Sequence, residues 1–377
     1  MYAKYLPPRF SGAGRQAVTL ARELTQRGIE LRLVTERTPE RPVEYELDGV
    51  AVHPILPARR NTDPHAMTCA RVALEARRYR ATVFHAHSAF PEASAMGAAV
   101  RSLGVASLLK ATLHRADLDC SSRIIGRLHR VLLQRQSGIV AISSEIAAEL
   151  KDLGIRADRI LRIPNGVDTN RFRPASRDER ARARALLGIA PSTRVVLFVG
   201  ILSQRKNVDW LLDQWGQWRA SPERQGDSLL VLAGPASTED AGRLEARVKR
   251  LTADAVAAVR WLGAVERVEQ VYAAADLVVL PSVAEGMPNV LLEAMACGLP
   301  AAAADSSGCR DLLQGASPLG WLFAPGDSEA LQACLGDLGA AERLVLMGAA
   351  ARQRMETHFS IPAVAAQYVD AYRRLSS

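Results

Sequence analysis

Two carboxylates, Glu285 and Glu293, stand with seven residues between them, and Gly286-Met287-Pro288-Asn289 follows the first. An apolar run at 276–280 precedes this stretch. After Pro288 a helical pattern runs through Val290, Leu291, Ala294 and Met295 and stops at Gly298. A second apolar run occupies 299–304. The order is strand, glycine loop, helix, strand. The first N–H groups of such a helix have no partner inside it, and the helix dipole makes that end positive, so the junction attracts phosphate. Gly286 lets backbone approach a ligand closely, and Pro288 suits a helix start, where the N–H it lacks goes unused. A carboxylate does not hold phosphate; it accepts hydrogen bonds, and sugar hydroxyls supply them. The junction fits a ligand with phosphate and polyol parts, a nucleotide sugar.

Other residues could serve the same ligand. Gly200-Ile201-Leu202-Ser203-Gln204-Arg205-Lys206-Asn207 follows an apolar run at 195–200 and opens a helical pattern. Its two adjacent cations suit a departing diphosphate: the arginine fork can hold two oxygens, and the lysine is a compact point charge. Gly12-Ala13-Gly14 opens the first helical pattern and is a second place for phosphate. His85 and His87, in Phe84-His85-Ala86-His87-Ser88, fall on one face of a strand by alternation. No third metal ligand is visible beside them, so the sequence speaks against a metal site. His114 follows the strand expected at 105–110. Both histidine positions are C-terminal strand ends, where open α/β sheets bind ligands. Asp117 and Asp119, just beyond, read as a solvated acidic loop. Neither a G-x-S-x-G elbow nor a phosphate-binding G-x-x-x-x-G-K-[ST] loop is present.

The stretch Glu285-Gly286-Met287-Pro288-Asn289 through Glu293-Ala294-Met295-Ala296-Cys297-Gly298-Leu299-Pro300 closely resembles the signature of the family-4 retaining glycosyltransferases of the GT-B fold. Arg205-Lys206 matches that family's basic pair, and Ile163-Pro164-Asn165-Gly166-Val167-Asp168 resembles its interdomain junction. The resemblance implies an α/β chain of two Rossmann-like domains, each a doubly wound parallel sheet, facing across a cleft. Residues 1–165 would be the acceptor domain and 166–358 the nucleotide-sugar domain. Residues 359–377 would form a helix crossing back to the first domain, on an apolar face of Val364, Tyr368, Ala371 and Tyr372.

It also implies roles. Glu293 would accept from the ribose hydroxyls and Glu285 from the donor sugar, with Gly286, Met287, Pro288 and Asn289 lining the donor. Arg205 and Lys206, with Gly12 and Gly14, would take the diphosphate. His114 would lie near the anomeric carbon. Apart from the resemblance, His87 is a further candidate in the sugar or acceptor vicinity, with a core role as its alternative. Reaction would occur on the front face, the leaving phosphate helping to deprotonate the acceptor hydroxyl. No metal and no cofactor beyond the donor is required. The setting would be cell-envelope or exopolysaccharide assembly on glycan or lipid-linked acceptors, in the cytoplasm at the inner face of the plasma membrane, with peripheral contact to anionic lipid. Two alternatives share the architecture: a GT-B nucleotide-sugar epimerase, and a non-catalytic two-lobed sugar-binding protein.

Composition agrees with a globular chain. The 377 residues are 48% hydrophobic and 23% charged, a length that suits about two domains. No apolar run approaches the ~20 residues that span a bilayer. The opening Met1-Tyr2-Ala3-Lys4-Tyr5-Leu6 lacks the apolar segment of an export signal and is short for a first strand, an expectation of a weak N-terminal sheet. Five cysteines without CxxC spacing imply free thiols and a reducing compartment. The net charge of +8 favours anionic partners, and no nucleic-acid-binding pattern accompanies it. Strands and helices alternate along both halves, with an Asp-Gly hairpin at 43–52, a capped helix after Ser143, and a charged helix at 171–190 packing around Leu186 and Leu187.

Overall fold

The computed structural model describes residues 1–7, 12–37, 43–57, 65–113, 117–221, 227–237, 241–253, 258–315 and 317–376. The chain divides into two compact units, Met1–Gly166 with Ile361–Ser377, and Val167–Ser360.

The first unit holds β1 (Leu33–Arg37), β2 (Tyr45–Leu47), β3 (Val50–Pro57), β4 (Val83–Ala86), β5 (Ala106–Ala111), β6 (Gly138–Ala141) and β7 (Ile160–Arg162). They lie in two groups, β2-β3-β1 and β4-β5-β6-β7, parallel throughout except for the β2–β3 hairpin. Its turn residues Asp48 and Gly49 have φ of 51° and 78°, the primed geometry that matches strand twist. Tyr2 joins the groups by parallel bridges to Val34 and Ala86. The Tyr2 and His87 N–H groups donate to His85 O and Tyr2 O at 2.7 and 2.9 Å, and those of Ala3 and Val34 to Val34 O and Met1 O at 3.0 and 2.7 Å. The segment is short, as its length implies, and both neighbours satisfy its backbone at the centre of the sheet. Counting it as the first strand and leaving aside the antiparallel β2, the parallel strands run 3-2-1-4-5-6-7, the doubly wound order with one further strand at its end.

Helix Ile361–Ser376 packs within this unit, burying Val364, Tyr368 and Ala371. Tyr372 OH lies 2.7 Å from His85 Nδ1. The Ser143 hydroxyl accepts from Ile146 N–H, capping helix Ser144–Asp152.

The second unit holds β8 (Arg194–Val199), β9 (Ser228–Ala233), β10 (Val259–Trp261), β11 (Leu277–Leu280), β12 (Ala301–Ala304) and β13 (Gly320–Phe323). All pairs are parallel, in the order β10-β9-β8-β11-β12-β13. This is the same 3-2-1-4-5-6 arrangement. Residues 305–340, for which the sequence supplied no assignment, form helices Ser307–Leu313 and Ser328–Gly336 around β13.

The charged helix is shorter than expected, Arg177–Leu186, and its packing is inverted. Leu186 is 76% exposed while Arg184 is 4% exposed. Asp276, at the entrance to β11, is the reason: its Oδ1 accepts from Arg180 Nη2 and its Oδ2 from Arg184 Nη2, both at 2.8 Å, and Oδ2 also from Val195 N–H. Arg184 further donates to the carbonyls of Ala190 and Thr193. A buried guanidinium with that many acceptors outweighs an apolar side chain for the inner face.

Candidate active site

In the second sheet the strand order reverses between β8 and β11. In open α/β sheets such a switch point, at the C-terminal ends of the strands, is where ligands bind. Arg205 and Lys206 sit in the β8 loop, on the short turn Gln204–Lys206, which closes on Asn207 in the left-handed region at φ 54°. Glu285 sits in the β11 loop. The loops are stitched together: Val283 N–H donates to Arg205 O at 3.1 Å, and Arg205 Nη1 to Ala284 O at 2.9 Å. Glu285 Oε1 accepts from Lys206 Nζ at 2.6 Å and from Arg205 Nη1 at 3.1 Å. Lys206 and Glu285 are nearly buried, Arg205 half exposed.

Backbone crowding shapes the floor. Gly200 and Gly234 end β8 and β9 at φ 147° and 142°, and a Cβ on Gly234 would lie 1.9 Å from Gly200 O. A side chain there would force the two loop starts apart. The β11 loop is pinned likewise: Gly286, Met287 and Pro288 are buried, and a Cβ on Gly308 would lie 2.1 Å from Gly286 O. Pro288 is the N-cap of helix Asn289–Ala296. One turn on, Glu293 Oε2 accepts from Tyr272 OH at 2.9 Å, and Phe172 meets the Tyr272 ring edge-on.

The first unit's candidates are arranged differently. Gly12–Gly14 is the first turn of helix Gly12–Gln26, and a Cβ on Gly14 would lie 2.1 Å from Tyr5 O, so glycine is required there by packing alone. His87 is 3% exposed, and neither ring nitrogen has a hydrogen-bond partner among the described residues. His85, Tyr368 and Lys110 are buried beside it, with the His85 and His87 rings 4.6 Å apart. Burial holds both histidines well below the usual imidazole value and pushes Lys110 down to about 7. Asp117 corrects the expectation of a solvated loop. It is fully buried, with Oδ2 accepting from Thr112 N–H and Oγ1 at 2.6 and 2.8 Å, and burial raises its carboxyl. Asp119 is exposed. His114 lies outside the described residues.

The description "Glycosyltransferase Family 4" matches residues 10–171, and "Glycosyl transferases group 1" matches residues 193–340. A D-inositol 3-phosphate glycosyltransferase from Nocardia farcinica is 30% identical over 362 residues, covering 87% of this chain and 78% of that protein. The chain belongs to the family-4 glycosyltransferases. A GDP-mannose-dependent phosphatidylinositol monomannoside mannosyltransferase from Corynebacterium glutamicum is 31% identical over 52% of each chain. The fold is shared with the Anabaena protein HepE in complex with UDP and glucose, at a TM-score of 0.80 and 21% identity over 99% of this chain and 98% of that one. A sucrose-phosphate synthase from Thermosynechococcus elongatus has a TM-score of 0.81 at 20% identity, over 99% and 98%.

In this glycosyltransferase the residues that sequence reasoning missed are supports. Tyr272 reads as an ordinary core residue of an apolar helix, and Gly308 opens a helix that carried no assignment. No spacing rule links either to the signature. Among the described residues no group of three or more His, Cys, Asp and Glu side chains is placed to hold a metal ion.

Proposed function

We propose that this glycosyltransferase moves a sugar, with retention at the anomeric carbon and without a metal, from a nucleotide-diphosphate sugar to an acceptor hydroxyl in cell-envelope or exopolysaccharide assembly. The observation that carries the reading is the meeting of Arg205, Lys206 and Glu285 at the β8–β11 switch point. In that arrangement the donor replaces an interaction already made. Its diphosphate takes Lys206 and Arg205 from Glu285, and the freed carboxylate accepts from the sugar hydroxyls. As the sugar–oxygen bond breaks, negative charge grows on the diphosphate, where the two cations favour it most. The departing oxygen takes the proton of the acceptor hydroxyl. Glu293, held by Tyr272, accepts from the ribose. His114 and His87 serve the sugar and acceptor side, with the first-helix glycines at the diphosphate.

The relatives' names support lipid-linked or phosphorylated polyol acceptors; the reading places their encounter in the cytoplasm at an anionic membrane surface. A donor panel scored by nucleotide diphosphate release tests the reading. One donor is expected to turn over in the presence of a chelator, to give an axial or equatorial linkage matching that of the donor, and to fail with Glu285→Ala. Inversion at the anomeric carbon, loss of activity on chelation, or an unaffected Glu285→Ala enzyme would each overturn the corresponding part.

A further inference from the structure

Helix Ile125–Gln134 turns its apolar side outward. Its buried residues are Gly126, His129 and Leu133. Ile124, just ahead of it, is 82% exposed, and Ile125, Leu128 and Val131 are 65%, 57% and 43% exposed. At helical spacing these form one stripe. Polar and backbone contacts lock this orientation. His129 Nε2 lies 2.9 Å from Ala89 O, and a Cβ on Gly126 would sit 2.3 Å from Cys120 O. A rotated helix would lose the first contact and could not make the second approach. Elsewhere among the described residues, exposed large hydrophobics come singly or two to an element.

The flank of the stripe is basic. Arg123, Arg127, Arg130 and Arg135 are exposed, and residues 120–137 contain no aspartate or glutamate. Arg123 and Arg127 make no ion pair among the described residues, whereas Arg130 donates to Leu153 O. We propose that this helix lies in the interfacial layer of an anionic lipid bilayer, its isoleucine–leucine–valine stripe among the acyl chains and its arginines against the headgroups. Charge complementarity selects the occupant. A second copy would set arginine against arginine, while an anionic bilayer satisfies the apolar and the basic side at once. The helix is about 15 Å long, too short to cross a bilayer and suited to lying in its plane. The inference deepens the functional reading by naming the surface that meets the membrane, and rests on that reading only for why an acceptor would be found there.

The test is flotation of the full chain, without donor, on vesicles of phosphatidylcholine alone or with added phosphatidylglycerol. Binding is expected on the phosphatidylglycerol vesicles and is expected to weaken with salt. The double variants Ile125→Asp/Leu128→Asp and Arg123→Glu/Arg127→Glu should each bind about tenfold more weakly or worse. All four positions are exposed, so an unchanged melting curve is expected to accompany the loss. Absence of wild-type binding, or binding untouched by Ile125→Asp/Leu128→Asp, would overturn the proposal. So would a concentration-dependent dimer that the variants dissolve, since the stripe would then be a self-interface. Failed flotation with intact diphosphate release sinks this inference alone, and the converse sinks the transferase reading alone.

Discussion

At the β8–β11 switch point of the second unit two cations meet a carboxylate; beside the equivalent place in the first unit, burial lowers Lys110, and burial, then the neighbouring cationic groups Lys110 and the N-terminal amine, lower His85 and, together with His85, His87, with no carboxylate among the groups acting on them. The strand order is the same, so topology does not explain the difference. Arg205 and Lys206 are paired with a carboxylate, an arrangement in which one anion can be exchanged for another. Burial weakens proton binding in the other cluster, which leaves it less positive charge to offer a diphosphate. What it holds is the C-terminal helix, through Tyr372 on His85 and Tyr368 stacked against the same ring.

The comparison is tested hardest at Lys206. Lys206→Ala is expected to cut turnover by about 10²- to 10³-fold, while Arg205→Ala, at a half-exposed position, costs less. Equal turnover in Lys206→Ala and wild type would end the claim that this cluster serves the leaving group. Asp276→Asn probes paired charge without chemistry. Unfolding by denaturant should show the second unit destabilised by about 3 kcal/mol, since Arg184 would be left buried and short of an anion. Turnover per folded molecule should hold.

In the first unit the expectation reverses. Lys110→Met at pH 7 should be neutral or stabilising by about 1–2 kcal/mol, because an apolar side chain of similar volume replaces a buried amine. A clear destabilisation would mean that the ammonium is held by a partner. The smallest effect is on the pH profile. Burial holds His85 and His87 well below the free imidazole value of 6.5, so the unfolded chain binds more protons and stability rises with pH. The histidine contribution is complete above 6.5 and is lost as pH falls below it. Lys110, at about 7 when folded against 10.5 when free, extends the rise through that window. Thermal melts between pH 5.5 and 8 should show a midpoint climbing by a few degrees, with a shallower slope in His87→Gln. A midpoint that falls with pH across that range would reject the weakened proton binding.

Legibility followed the range of the interactions. Glu285, Gly286, Pro288 and Glu293 form one local segment, and their strand–loop–helix context could be read directly. Arg184 and Asp117 could not. Both are charged residues in polar stretches that read as surface: Arg184 is buried by Asp276, 92 residues away, whereas Asp117 is an exception to range, its partner Thr112 being five residues away in a loop with no periodicity to read. Met1 to Leu6 reads as short for a first strand, and the structure pairs Tyr2 on both sides.

By itself the sequence determined the types and order of most elements outside 305–340, the primed hairpin turn, the helix capped by Ser143 and the chemistry available in the loops it assigned. These depend on periodicities and backbone preferences within a few residues. Tertiary structure decided which loops meet, since Lys206 and Glu285 are 79 residues apart and are joined only by the strand order. It also decided which side of an amphipathic helix faces out. In Ile125–Gln134 the apolar periodicity would favour burial, and His129 and Gly126, fitted against particular backbone atoms, set the opposite face inward.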